Sequence, residues 1–280
     1  MILVAGGTGR LGSLLVTRFA DLGLDVRVLT RDPARAEHLH NSNVEVVVGD
    51  VRDPRSIEPA VRGVDVVVSA VQGFAGPGRV TPGSVDAQGN VNLIDAATAA
   101  GADVVLVSVV GAAADSPMEL FRAKYVAEQH LARVSTNGTV VRATAFVELW
   151  ADIMAKPIVF GGGNNPINFV SVADVAAVVE HVVVDASLRG QTVEVGGPQN
   201  LTFNELAALL AEVRGDEGHV RHIPRWLLRT MAPFARQPRA ALTMDTIDLT
   251  FVAPGGRIPL TTQPSTDVRT ALVVTSAPSR

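Results

Sequence analysis

A glycine at every third position, Gly6-x-x-Gly9-x-x-Gly12 in "VAGGTGRLGSLL", is the first spacing in this chain that can do chemistry. It follows a β-branched run and opens a helical one. Glycines there permit a tight turn and the close approach of a pyrophosphate. The helix N-terminus then offers unpaired N–H groups and a favourable dipole to that anion. An ordinary glycine-rich strand-to-helix turn would read the same way. Thr8, Arg10 and Leu11 share this loop. A second spacing lies in "ELFRAKYVAEQHL". Of 24 cationic residues only Lys124 and Lys156 are lysine, so a lysine in this helical stretch asks for a reason. In apolar surroundings desolvation lowers a lysine pKa and lets it move a proton. As a plain surface residue it would pair with Glu128, one turn on.

The glycine loop asks which nucleotide it serves. A ribose 2′-hydroxyl is normally held by Asp or Glu at the end of the second strand. Here that strand closes "RVLTRD", with Thr30 and Arg31 where the acid would stand. Arg31 presents a planar fork to a 2′-phosphate and a face to adenine, and Arg10 adds a second cation. Asp32 has a competing task as N-cap before Pro33. These residues favour NADP(H) over NAD(H); the competing role for Arg31 is a solvated surface residue. Asp50 and Val51 either border the adenine or form a turn before the Asp53 cap. Ser69, Ala70 and Val71 lie along the ribose, mainly through backbone. Ser108 closes the fifth strand, and Thr144, Ala145 and Phe146 in "RATAFVELW" pass the nicotinamide. Phe74, Val110, Leu149, Trp150 and Met154 are candidates for a mostly apolar substrate pocket, with Phe160 a weaker one. Plain core packing accounts for the same spacing.

Six short runs must position these residues: "ILVA", "VRVL", "VEVVV", "VDVVVSA", "VVLVSVV" and "GTVVRA". Each is apolar on both faces, as strands of a covered parallel sheet are. Helical segments alternate with them, "RLGSLLVTRFADLG" stopped by Gly23 and "SVDAQGNVNLIDAATAAG" stopped by Gly101. Asp32-Pro33 and Asp53-Pro54 each read as an N-cap followed by Pro at the first helical position. The alternation predicts an α/β doubly wound parallel sheet of Rossmann type over residues 1–150. Residues 151–280 read as a smaller, partly interleaved, mixed lobe carrying the substrate side. There "GGGNNPINF" leads into a short strand and "QTVEVGG" is another. Ser171-x-x-Asp174 and Thr202-x-x-Glu205 read as capping boxes. Residues 224–249 read as helix interrupted near Pro233 and Pro238, and "TSAPSR" as a frayed end. The Gly/Pro-rich loop 72–83 either covers the substrate or is a surface excursion.

Composition narrows the classes. A net charge of −4 carries no electrostatic footprint for nucleic acid and no polybasic patch for a membrane. Zero cysteines exclude disulfides, thiolate catalysis and thiolate-held metal. His38, His40, His130, His181, His219 and His222 form no convincing metal set, and no Gly-x-Ser-x-Gly elbow occurs. A strand beginning at residue 1 leaves no room for a signal peptide, and the longest apolar runs are too short to span a bilayer. The expectation is a soluble cytoplasmic protein.

With these pieces in view the chain resembles the short-chain dehydrogenase/reductase superfamily in its atypical, NmrA-like branch. The likeness runs through "GGTGRLG", "LTRD", "VGDVRDP", "GNVNLIDAATAAG", "LVSVVGA", "LFRAKYVAEQHL", "VVRATAFVELW" and "NFVSVADVAAVV". It implies a Rossmann-type domain binding NAD(P), with a small C-terminal lobe closing the pocket. Ordinary members use Tyr-x-x-x-Lys, in which the lysine lowers the tyrosine pKa and holds the cofactor ribose, and the tyrosine transfers the proton. Here the lysine position is Lys124 and the tyrosine position is Leu120. The only tyrosine, Tyr125, is about 100° around the helix and faces elsewhere. The second hydroxyl donor, beyond Ser108, is replaced by Val109 and Val110. Phe121-x-x-Lys124 is similar to the pattern of isoflavone reductase-like enzymes, in which the lysine itself is taken as the acid–base. The resemblance also implies a monomer or a homodimer, the latter through the helices at 84–100 and 118–134.

Three functions remain open. One is an NADPH-dependent oxidoreductase acting on a small apolar carbonyl, quinone or enone. Another is a non-catalytic NADP(H) sensor with a protein partner. The third is a non-redox enzyme, a cyclase or isomerase, on the same fold.

Overall fold

The computed structural model describes residues 1–39, 42–74, 80–155, 158–215, 220–233, 236–252 and 266–276. The chain opens with β1 (Ile2–Ala5), α1 (Arg10–Asp21), β2 (Val26–Thr30), a 3₁₀ stretch (Pro33–Leu39), β3 (Val44–Val48), α2 (Pro54–Val61) and β4 (Val66–Ser69). A π-helical turn (Pro82–Ala87) then runs into α3 (Gln88–Ala99), β5 (Asp103–Val109), α4 (Glu119–Val134) and β6 (Thr139–Ala143). Next come β7 (Ala145–Phe146), α5 (Val147–Ile153), β8 (Ile158–Phe160), β9 (Pro166–Val170), α6 (Val172–Val184) and β10 (Thr192–Val195). The remaining elements are β11 (Gln199–Thr202), α7 (Phe203–Arg214), β12 (Arg221–Ile223), α8 (Arg225–Met231), α9 (Arg236–Met244) and α10 (Val268–Ser276).

The chain divides into two units. The first is Met1–Arg142 with Val175–Glu194, and the second is Ala143–Asp174 with Val195–Arg280. The first unit holds a seven-stranded sheet of order β10-β6-β5-β4-β1-β2-β3. β1 pairs in parallel with β2 on one side and β4 on the other, Ile2 opposite Val26 and Val66. β1 and β4 are buried along their whole length, as strands covered on both faces must be. Leu3, Ile57, Leu93, Ile94, Leu106 and Leu131 form the centre of one core cluster. Strand order reverses between β1 and β4, and a crevice at such a reversal is where these sheets bind ligands. The turns after Ala5 and Ser69 therefore sit where a ligand belongs.

The second unit carries a mixed three-stranded sheet, β11-β9-β7, and a two-stranded one, β12-β8. β9 is antiparallel to β11 and parallel to β7. Phe203 links two other rings, 4.7 Å from Trp150 and 6.2 Å from Phe169 between centroids.

Several local readings change. Ser171-x-x-Asp174 forms no capping box. Glu148, buried on α5, takes the Val172 amide and the Ser171 hydroxyl, while Asp174 accepts from Thr266. The Thr202–Glu205 box forms as expected. Pro238 interrupts nothing. It lies in the first turn of α9, where a missing amide leaves no bond unmade. The C-terminal stretch is helical through Ser276, a helix the sequence reading lacks. "TSAPSR" thus begins inside α10, and its last four positions lie outside the described residues. So do His40, His219, Lys156 and residues 75–79 of the long loop.

Candidate functional site

The glycine loop is built for close approach. Gly6 has φ +82, and a Cβ there would sit 2.7 Å from the Ala70 carbonyl oxygen. Gly12 has the tighter constraint: its Cβ would lie 2.1 Å from the Gly6 carbonyl oxygen. The Gly9 amide donates to Gly6 O at 2.9 Å and closes the turn. Gly9 is the N-cap of α1. It gives no side-chain cap, and the first turn holds no acid. The leading amides of α1 therefore face the switch point with the positive end of the dipole and no side-chain acceptor.

Beside this loop, the end of β2 carries cations. Arg31 is exposed and makes no hydrogen bond among the described residues. Asp32 is occupied as expected, its carboxylate accepting from Ala34 N at 3.1 Å. The Thr30 hydroxyl takes Asp32 N and lies 3.4 Å from that of Thr8. The structure adds a residue that the sequence reading missed. Arg35 donates to the Thr8 carbonyl at 3.3 Å, placing a second guanidinium against the glycine loop. The available signal was the spacing Arg31-x-x-x-Arg35 across a helical turn.

Asp50 is less available than the sequence suggested. Arg52 grips both of its carboxylate oxygens at 2.6–3.0 Å and holds the carboxyl below its ordinary pKa. Val51 is buried, and its carbonyl accepts from Asn92.

The end of β4 holds a buried polar network. The Ser69 hydroxyl donates to Asn90 Oδ1 at 2.5 Å, and Asn90 Nδ2 donates to the Asp86 carbonyl at 2.8 Å. Asp86 Oδ2 accepts from the Gly73 amide at 2.7 Å. Lys124 enters this network from α4. Its ammonium donates to the Val71 carbonyl at 3.0 Å and stands 3.0 Å from Asp86 Oδ1. The second approach is off the hydrogen-bonding angle, so Asp86 Oδ1 has a neighbouring charge but no directed donor. The expected alternative of a surface Lys124–Glu128 pair is overturned. Lys124 is 6% exposed in its side chain, and Glu128 is engaged by Ser108 Oγ at 2.5 Å and by the Arg142 fork at 2.6 and 3.0 Å. Nor is Lys124 in the apolar setting that the acid–base role assumed, because a carboxylate faces it. Leu120 is half-buried one turn earlier, Phe121 packs over Gly111, and the Tyr125 hydroxyl makes no hydrogen bond among the described residues.

The remaining candidates are placed as follows. Phe74 and Val110 are half-buried in the first unit. In the second, Thr144 donates to Asn168 Oδ1 at 2.8 Å, and Ala145 and Phe146 pair with Phe169 and Val170. Leu149 and Trp150 are half-buried on α5, and Met154 is buried in the core. No helix among the described residues is long and apolar enough to cross a membrane, and none of their His, Asp and Glu form a metal-holding group.

Comparison with known proteins places this geometry in context. A model of the NmrA-like family matches residues 1–246. An NAD(P)H azoreductase of Xenophilus azovorans is 32% identical over 222 residues, covering 77% of this chain and 74% of that protein. The photosystem II assembly factor Ycf39 of Synechocystis is 29% identical over 242 residues, covering 84% and 74%. Among solved structures, the Citrobacter triphenylmethane reductase complexed with NADP(H) matches at TM-score 0.78 and 20% identity, covering 98% of this chain and all of that one. An NADPH-dependent quinone oxidoreductase from Escherichia coli, complexed with NADPH, matches at 0.77 and 21%, covering 97% and 98%. These two likenesses carry the fold.

Proposed function

This chain belongs to the NmrA-like family, and from that footing we propose that it is an NADPH-dependent oxidoreductase. Its acceptor is a small apolar carbonyl, quinone or enone. The observation that carries the reading is the anion cradle at the sheet's switch point. The uncapped start of α1 faces it, Gly6 and Gly12 leave no room for a Cβ, and Arg31 and Arg35 stand at its edge. A pyrophosphate fits the amides of the α1 first turn. Arg31 and Arg35 offer planar forks to a 2′-phosphate. Carboxylates that would prefer a 2′-hydroxyl are already engaged, Asp32 with its own turn and Asp50 with Arg52. The backbone of Ser69, Ala70 and Val71 and the ammonium of Lys124 are the groups offered to the ribose side. NADPH, when bound, supplies a hydride. The azoreductase relative and the NADPH-bound reductases of the same fold support this reading.

A second reading, a non-catalytic NADP(H) sensor, has its own observation. Leu120 offers no proton, the Ser108 hydroxyl is given to Glu128, and the Lys124 ammonium is held by Val71 and Asp86. The assembly-factor relative supports that side.

The test is calorimetric titration with NADPH, NADP⁺, NADH and NAD⁺, followed by quinones and enones with NADPH oxidation followed optically. Tight NADPH binding with turnover supports the reductase, and binding without turnover on any acceptor moves the protein to the sensor. Binding of none of the four sinks both. R31A and R35A should each weaken NADPH by about tenfold or more, one charge-assisted hydrogen bond, and leave NADH unchanged.

A further inference from the structure

We infer that Asp86 is the positioning residue for Lys124, fixing its ammonium at the carboxyl end of β4 for a ligand hydroxyl. This rests on the proposed cofactor reading. Lys124 grips the Val71 carbonyl, and Val71 follows Ala70, whose carbonyl bounds the space at Gly6. The ammonium therefore stands beside the anion cradle, within one unit of the fold. A lysine has three donors. The Val71 carbonyl takes one, and the other two make no directed hydrogen bond among the described residues, with the Asp86 carboxylate 3.0 Å away as their charge partner.

Asp86 is itself anchored. It is fully buried, its Oδ2 holds the Gly73 amide, and its carbonyl is held through Asn90 to Ser69. It sits in a π-helical turn, a winding that concentrates at functional sites. Its other oxygen, Oδ1, is buried without a directed donor. Stability does not explain the arrangement. A buried ion pair is commonly no more stable than an apolar pair of equal volume, and Val85, Ala123 and Ala127 nearby on the same elements are buried apolar residues. What the pair does supply is a rigid direction for a cation that would otherwise hang on four methylenes.

The test is a double-mutant cycle read by NADPH titration, with Tm measured in parallel. D86N keeps an acceptor for the Gly73 amide and removes the charge. K124M removes the ammonium. Each should weaken NADPH by about tenfold or more, and the double variant should be no weaker than the worse single. Losses that multiply, or D86N with a lowered Tm and wild-type NADPH affinity, would overturn the inference and leave Asp86 a structural staple. If D86N does not fold, D86L/K124M replaces it, since it leaves no buried charge unpaired. That variant leaves the Gly73 amide without its acceptor, so its Tm should fall modestly, and it should lose NADPH affinity; wild-type affinity in it overturns the inference. A wild-type protein that binds no NADPH sinks the cofactor reading and this inference together. Wild-type binding with unaltered variants sinks this inference alone.

Discussion

Gly12 gives the sharpest forecast. In G12A the new methyl would lie 2.1 Å from the Gly6 carbonyl oxygen, 2.7 Å from its carbon and 2.8 Å from the Gly7 Cα. Carbon–oxygen contacts settle near about 3.3 Å, so backbone must move by about an ångström. That backbone cannot yield easily. The Gly6 carbonyl takes the Gly9 amide, and Gly6 abuts the Ala70 carbonyl on its other side. Overpacking of this kind costs about 1–3 kcal/mol, sometimes more. Alanine returns at most about 1 kcal/mol through helix propensity. The balance is a loss of about 1–2 kcal/mol, or about 2–8 °C in Tm. Gly9 is the control. Its Cβ would meet only the Gly6 oxygen, at 3.2 Å, and its φ of −87 suits any residue. G9A should cost about 1 kcal/mol or less as a poorer N-cap. Its methyl would stand where the pyrophosphate is proposed to lie, so NADPH should weaken by at least about tenfold. Thermal unfolding and NADPH titration of both variants decide the matter. A G12A protein with wild-type Tm refutes the packing argument. A G9A protein with wild-type affinity refutes the cradle.

Other outcomes follow from the same geometry. E128A strips the acceptor from Arg142 and Ser108; since Arg142 is partly exposed, the loss in urea unfolding should be about 2–3 kcal/mol, below that of a fully buried pair. Burial pushes the Asp245 carboxyl up, but Arg225 and the amides of Gly162 and Gly163 overcome this and hold it below its ordinary value. Its contribution is therefore full above about pH 4 and is lost as pH falls through the depressed folded value. D245N should cost about 1–2 kcal/mol at neutral pH, with the deficit shrinking under acid, as unfolding curves between pH 2 and 7 would report. T202A removes the cap that takes the Glu205 amide at 3.1 Å and should lower stability by about 1 kcal/mol in the same assay.

The first unit was legible because its signals are local. Six doubly apolar runs, glycine stops at Gly23 and Gly101, and Asp-Pro caps give element after element without any knowledge of neighbours. The glycine loop was legible for the same reason. What escaped depends on residues far apart in sequence. Nothing near Ser171 announces that Glu148 will take the Val172 amide while Asp174 turns to Thr266. Nothing near Lys124 announces Asp86, which reads as one polar residue on an otherwise ordinary helix. Glu128, at the favourable i, i+4 spacing, was the plausible local partner. It lost because Arg142 offers it a two-pronged contact and Lys124 points the other way round the helix. Arg35 was missed because its meaning depends on the 3₁₀ turn that brings it back to Thr8.

The loss of the usual tyrosine bears on the kind of acceptor. With Leu120 one turn before Lys124, and Ser108 donating to Glu128, the tyrosine and serine positions that polarise a simple ketone in the wider superfamily are not available for that task among the described residues. A simple ketone needs its oxygen protonated as the hydride arrives, and general acid help of that kind is worth about 10²–10⁴ in rate. A quinone or enone spreads the arriving charge over a conjugated system and needs less of that help. If the protein is a reductase, quinones and enones should therefore be reduced faster than saturated ketones of similar size. Steady-state kcat/KM across such a matched series measures this directly. Equal rates on the saturated ketone would mean that a proton donor exists which these side chains do not account for.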